Sequence, residues 1–214
     1  MPRYVALDVE CVATGSGHSE RIPATVALVS KDGRTLQDDA ILVDNVYSYL
    51  TPLTGLSRDD FKHARPLSEV LADTYSILGP DVILVGQHPE SDIKWLQLIK
   101  GVHFNYAVDI AHFFKKFNNR YNKYTFRSLQ HTAQVLLSED MTGSHLAYAD
   151  AMASMKLYCM YMGADDSERK TMVDKVHVGR PATSVAKRYG YSIDGVCLAG
   201  FNSRYCTCSD PILS

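Results

Sequence analysis

Arg3-Tyr4-Val5-Ala6-Leu7-Asp8-Val9-Glu10 is an apolar stretch that turns acidic at its end. Read as a strand, it is buried until Asp8 and Glu10 interrupt it. The period of two sends both carboxylates to one face, with Cβ atoms roughly 6.5–7 Å apart. Two such groups at a buried strand end repel unless one is protonated or a cation lies between them. A solvated surface strand carries the same pair harmlessly, so the pair alone decides nothing.

Residues 24–30 form a second strand, and Lys31-Asp32-Gly33-Arg34 turns the chain into a third over 35–43. Thr51 to Arg65 reads as a loop. Leu67, Val70, Leu71, Tyr75 and Leu78 then recur at helical spacing, predicting a helix over 66–78 that Gly79-Pro80 ends. Residues 82–86 (VILVG) are a short central strand, and Pro89 suits the first turn of the next helix, which stops at Gly101. A strand over 104–109 ends in Asp109, and helices are expected over 110–118, 125–137 and 146–162. The order β-β-β-α-β-α-β-α-α-α implies an α/β domain with a mixed sheet and helices on both faces.

The 214 residues carry 22 basic and 24 acidic side chains and are 46% hydrophobic. That balance excludes a strongly basic nucleic-acid wrapper, an acidic tail and a disordered chain. No run approaches the ~18 apolar residues of a membrane helix. Asp8 also stands where a secretory leader would need its apolar stretch, so a soluble intracellular protein is expected. Cys11, Cys159, Cys197, Cys206 and Cys208 are odd in number and irregular in spacing, which argues against a disulfide framework. Cys206-x-Cys208 with Cys197 and His177 would be a zinc cluster, but no CxxC spacing supports it, and reduced thiols are the better reading. Residues 1–162 read as one domain. Residues 163–214 change composition and read as a C-terminal extension that packs back or binds a partner.

Asp92 falls in the first turn of the helix after strand 82–86, outside the carboxyl ends of the strands, where open α/β sheets form ligand pockets. An aspartate there also simply suits a helix N-terminus. His145 and Asp150 are five positions apart, which on a regular helix leaves their side chains about 140° apart. Both reach one site only if His145 sits on the loop entering the helix, as Gly143-Ser144 suggests.

Together, Asp8-x-Glu10, Asp92 and His145-x4-Asp150 resemble the DEDDh 3′→5′ exonucleases, whose fold is RNase H-like. The resemblance covers residues 3–162 and is closest to the RNA exonuclease branch of Rex-type and interferon-stimulated enzymes. Ala6-Leu7-Asp8-Val9-Glu10-Cys11 is similar to that branch's motif ALDCEM. Thr54-Gly55-Leu56-Ser57 is similar to its (S/T)-G-(I/V)-T segment, and Leu84 to Asp92 to its second motif. Gln87 stands where the branch commonly has His, with His88 displaced by one, and Val9 and Cys11 replace Cys and Met. These departures touch substrate preference more than catalysis. Leu146 stands where the tyrosine variant of the superfamily has its Tyr, and Tyr148 is out of register, so the histidine variant fits better.

The resemblance implies two Mg2+ or Mn2+ ions, and four carboxylates are the hard oxygen donors such ions prefer. It places Asp8 as the bridge, Glu10 and Asp150 on one ion and Asp92 on the other, with His145 as general base. A histidine suits that task, since its unperturbed pKa is about 6.5. Backbone groups around Cys11 and Val12 would hold the terminal sugar, with a 2′-OH contact favouring RNA. Leu56 would pack against or wedge the terminal base, and Gln87 and His88 would line the pocket. Lys115, Lys116, Arg120, Lys123 and Arg127 alternate with aromatics across 112–131 without an acid, a composition suited to a single strand. A solvated helix-loop-helix with core aromatics reads the same segment equally well.

The leading expectation is a 3′→5′ exoribonuclease acting on single-stranded RNA and releasing nucleoside 5′-monophosphates. A DNA exonuclease of the same fold is second, a catalytically idle binding module third. An RNase H-type endonuclease gives no reason for His-x4-Asp or the Thr-Gly-Leu segment and ranks last. Oligomeric state and pathway are not legible.

Overall fold

The acidic stretch lies at the centre of a five-stranded sheet, as strand β1 (Arg3–Ala13), in a computed structural model that describes residues 2–139, 146–179, 183–200 and 203–208. β2 (Arg21–Ser30) and β3 (Thr35–Ala40) follow antiparallel on one side. On the other side β4 (Val82–Gly86) and β5 (Tyr106–Asp109) run parallel to β1, giving the order β3-β2-β1-β4-β5. The parallel half follows from the crossovers, because α2 (Leu67–Ile77) and α3 (Glu90–Trp95) intervene before β4 and β5. The expected mixed α/β sheet is present.

Alternation along β1 divides the core. Val5, Leu7 and Val9 face a cluster completed by Val70 of α2 and Leu96 beyond α3. Ala6 faces the other side, against Ala147, Ala151 and Leu157 of α5 (Ala147–Gly163) and Leu129 and Ala133 of α4 (Leu129–Leu137). The small residues on α5 let its backbone approach the sheet closely, so Asp150 is delivered to the face that Asp8 and Glu10 share. Between Glu10 and Cys11 the β1–β2 register shifts, with Glu10 opposite Thr25 and Cys11 opposite Pro23. This bulge ends the strict alternation. Beyond it Val12 and Ala13 enter two smaller apolar clusters with Leu56 and with Leu50.

Several boundaries differ from the sequence reading. The loop 51–65 contains one turn of helix, α1 (Thr51–Thr54), and a 3₁₀ turn (Arg58–Phe61). The helix expected over 110–118 is instead a 3₁₀ turn (Ile110–His112) followed by β6 (Lys116–Asn118), which pairs with β7 (Lys123–Thr125). Polar and aromatic residues alternate there, and Phe117 meets Tyr124 across the ladder edge-on at 5.3 Å. Such cross-strand pairs stabilise a hairpin that single-helix spacing cannot make.

Beyond Gly163, α6 (Asp166–Val176) starts with a reciprocal Asp165–Glu168 capping box and buries Val176 in the α4–α5 cluster. His177, weighed with the thiols on sequence, points elsewhere: its Nε2 donates to the Phe114 carbonyl at 2.8 Å. Farther on come α7 (Val185–Arg188), β8 (Ser192–Ile193) and β9 (Val196–Cys197), with Ile193 and Val196 against Ala13 and Leu50. Among the described residues no helix is long and apolar enough to cross a membrane.

Candidate active site

Three elements converge at the carboxyl end of β1. Asp8 and Glu10 project from the strand, Asp150 from the first turn of α5, and each offers a carboxylate oxygen within 4.8 Å of the others. Asp92, in the first turn of α3, joins them from the end of β4 and is buried, as is Asp150. Gly86 permits this approach: a Cβ there would come within 3.1 Å of the Leu7 carbonyl and 3.2 Å of Pro89, the residue that opens α3.

Burial and neighbouring negative charge mark the cluster. Burial, and then the charges of Asp92, Asp150 and Glu10, hold the Asp8 carboxyl well above the usual carboxylate range. Glu10 is pushed up to about 9 by burial and by Asp150 and Asp92. Asp92 is pushed up to about 8 by burial and by Glu90. Oδ2 of Asp8 is shut away from water and meets no hydrogen-bond donor among the described residues. A buried carboxylate oxygen without a donor is costly, and a divalent cation is a partner that would satisfy it. The donor set, all hard oxygens, fits such an ion. His145 lies outside the described residues.

A second arrangement adjoins the acids and was not legible as more than a strand end. Asp109, paired with Gly86 across β4–β5, accepts from the backbone N–H of His88 at 3.1 Å and of Ala111 at 2.9 Å. Its Oδ2 also lies 3.2 Å from Nδ1 of His88 and 3.6 Å from Nε2 of His112. His88 has φ 54, a left-handed conformation that costs a non-glycine residue roughly 1–2 kcal/mol. The two hydrogen bonds to Asp109 hold it there. The Asp109 hydrogen bond raises the His88 pKa against the lowering effect of burial. Phe126 stands 5.4 Å from the His112 ring and 6.4 Å from that of His88. Gln87, between β4 and α3 in sequence, is half-buried.

The remaining candidates fall less favourably. Leu56 is 1% exposed, closed into an apolar cluster with Val12 and Ala24, so its side chain has no free surface to wedge a base. Val12 is buried in the same cluster, and the part expected of it and of Cys11 is a backbone one. Cys11 is buried, its thiol pushed up by burial against the lowering influence of Arg21. Arg127 reaches the Gly179 carbonyl at 3.5 Å, and its Nε is buried without a partner among the described residues. On the hairpin, Tyr121, Tyr124, Phe117 and Phe126 are exposed, while Phe114 is core. Lys115 lies 4.5 Å over the Tyr124 ring and Arg120 5.5 Å over that of Tyr121.

A family model described as Exonuclease matches residues 5–158. RNA exonuclease 4 of Xenopus tropicalis is 30% identical over 162 residues, 75% of this chain and 38% of that protein. RNA exonuclease 4 of Gibberella zeae is 31% identical over 169 residues, 77% of this chain and 50% of that protein. The chain thus spans half or less of the length of these two relatives. Among solved structures, the Saccharomyces cerevisiae Pan2 pseudoubiquitin hydrolase-RNA exonuclease module superposes with a TM-score of 0.65 at 21% identity, over 88% of this chain and 31% of that one. Escherichia coli Exonuclease I superposes with a TM-score of 0.55 at 13% identity, over 81% of this chain and 42% of that one. These two likenesses speak for the RNase H-like fold alone.

Proposed function

The chain belongs to the Exonuclease family, whose model spans residues 5–158, and on that premise we propose that it is a divalent-metal-dependent 3′→5′ exoribonuclease acting on single-stranded RNA. The observation that carries the reading is the convergence of Asp8, Glu10 and Asp150, with one Asp8 oxygen buried and without a donor. The name RNA exonuclease 4, borne by relatives at 30% and 31% identity, favours RNA over DNA.

In this reading Asp8, Glu10, Asp92 and Asp150 hold Mg2+ or Mn2+, two ions in all. Bound there, such ions polarise the scissile phosphate and make a water nucleophilic near neutral pH. Asp8 and Glu10 supply negative charge from a rigid strand, so the site is organised before substrate arrives. His145, just ahead of α5 in sequence, takes the proton of the attacking water. The bond from phosphorus to the 3′ oxygen breaks, leaving a nucleoside 5′-monophosphate and a shortened strand with a 3′-hydroxyl. The division of the chain into an exonuclease domain over 1–162 and an extension over 163–214 belongs to the same proposal.

The test is a 5′-labelled single-stranded RNA and a matching DNA, each in Mg2+, Mn2+ or EDTA. A ladder shortening from the 3′ end, faster on RNA and abolished by EDTA, is expected. Discrete internal cuts would replace the reading with an endonuclease, and binding without cleavage with a non-catalytic module.

The β6–β7 hairpin is proposed to carry the strand leading to the site, by stacking and phosphate contact. Base stacking on an aromatic is worth roughly 1–3 kcal/mol. Replacing Tyr121 and Tyr124 together by Ala should therefore raise KM for RNA roughly tenfold or more, with kcat within a factor of about two. An unchanged KM would remove the hairpin from the binding path.

A further inference from the structure

Away from the acids, distant parts of the chain bring soft ligands to one point. His18 lies in the turn between β1 and β2, Cys197 ends β9, and Cys206 and Cys208 follow a 3₁₀ turn (Ser203–Tyr205). One ligand atom from each lies within 4.8 Å of all the others. His18 Nδ1 is 3.1 Å from Cys208 Sγ and 3.8 Å from Cys206 Sγ. Cys206 Sγ is 3.5 Å from Cys208 Sγ and 3.9 Å from Cys197 Sγ.

These separations match a tetrahedron around a metal. With Zn–S near 2.3 Å and Zn–N near 2.0–2.1 Å, tetrahedral geometry puts sulfurs about 3.8 Å apart and nitrogen about 3.6 Å from sulfur. The observed pairs scatter about both values, whereas a disulfide closes to about 2.05 Å. None of the five cysteines is paired in a disulfide.

We infer that His18, Cys197, Cys206 and Cys208 are the four ligands of a structural zinc ion that fastens the C-terminal segment to the β1–β2 turn. Four protein ligands close the coordination sphere, which separates this site from a catalytic one with an open position. The segment needs such an anchor. Its described residues bury Ile193 and Val196 in the cluster with Ala13 and Leu50 and pack Val185 and Leu198 against it, and a core that small gains from a staple. Cys197 N donates to the Ser16 carbonyl at 2.8 Å, and Ser48 Oγ donates to Asp194 at 2.6 Å, so the fastening is already sketched in polar contacts. The clamp also reaches toward the acids. Arg21 Nη2 donates to the Cys197 carbonyl at 3.4 Å while the same guanidinium hydrogen-bonds to the thiol of Cys11, the neighbour of Glu10.

Elemental analysis of the untagged protein after dialysis against metal-free buffer tests this directly. One zinc per chain is expected, released in step with thiol titration by an organomercurial. Replacement by Co2+ should give the thiolate-to-metal charge-transfer and intense visible bands of a tetrahedral site. Asp8→Asn should keep the zinc, which separates this ion from any held by the acids. Cys206→Ser with Cys208→Ser should lose it, and His18→Cys should keep it with a shifted cobalt spectrum, covering the case in which the double variant fails to fold. Metal-free protein whose thiols all react at once, or a Cys197–Cys206 disulfide found by mass, would overturn the inference. So would zinc that leaves with Asp8→Asn.

Discussion

Asp8→Asn is expected to lower kcat about 10³-fold or more while making the metal-free protein more stable. The two effects have one cause. Asp8 sits among Glu10, Asp92 and Asp150, and its carboxyl is raised first by burial and then by those three charges. The folded, metal-free chain must keep a proton on Asp8 that the unfolded chain gives up near neutral pH, and a neutral amide removes that cost, about 1–3 kcal/mol, which for a chain of this size raises Tm in EDTA by roughly 3–8 °C. The same change removes the oxygen that is buried without a donor and with it the tightest position for a cation. Mn2+ should therefore stabilise the wild type and leave Asp8→Asn almost unmoved. Thermal melts with EDTA and with Mn2+, run beside single-turnover cleavage, check all of this. A merely structural aspartate would lose stability on substitution, and a variant within tenfold of wild-type activity would remove Asp8 from the site.

The central sheet was legible because its signals are local. Asp8 and Glu10 share a face by the period of two, and the acids sit where a strand or a helix begins or ends. Asp92 was legible for the same reason, since a first-turn aspartate after a central strand has few other places to go. Less was legible of residues whose surroundings depend on distant packing. Leu56 belongs to a motif-like segment, yet the bulge after Glu10 turns Val12 toward it and closes both into one cluster. Residues 112–118 carry aromatics at spacings a helix could use, and only the pairing of Phe117 with Tyr124 decides for a hairpin. Asp109 gains its role from His88, which a left-handed turn swings toward it.

The thiol cluster shows the limit most sharply. His18 and Cys208 are 190 residues apart, and no CxxC signals a knuckle. His177, nearer in sequence, is held by the Phe114 carbonyl at the end of α6. Ligand spacing is informative when a site is built on one loop, and here it is assembled from the β1–β2 turn and the C-terminal segment.

Metal-free stability is expected to fall as pH rises from about 5 to 9, and a divalent cation should abolish most of that fall. The sign follows from proton binding. Glu10, pushed up to about 9, and Asp92, pushed up to about 8, are protonated in the folded state at pH values where the unfolded chain has already lost those protons. The folded state binds more protons, so stability is fully present below the unfolded carboxylate pKa and is lost as pH climbs through the raised values. Each proton contributes a slope of about 1.4 kcal/mol per pH unit, or roughly 3–5 °C in Tm for a chain this long. Ionised carboxylates are the form a cation binds, so Mn2+ gains affinity over the same range and offsets the loss. The gap between melts in Mn2+ and in EDTA should accordingly widen with pH, and it should narrow in Asp8→Asn. A flat EDTA profile from pH 5 to 9 would mean that burial and neighbouring charge do not hold protons on Glu10 and Asp92 in the folded protein. That result would undercut the cluster as a cation site, since carboxylates buried close together are what a bound cation would stabilise.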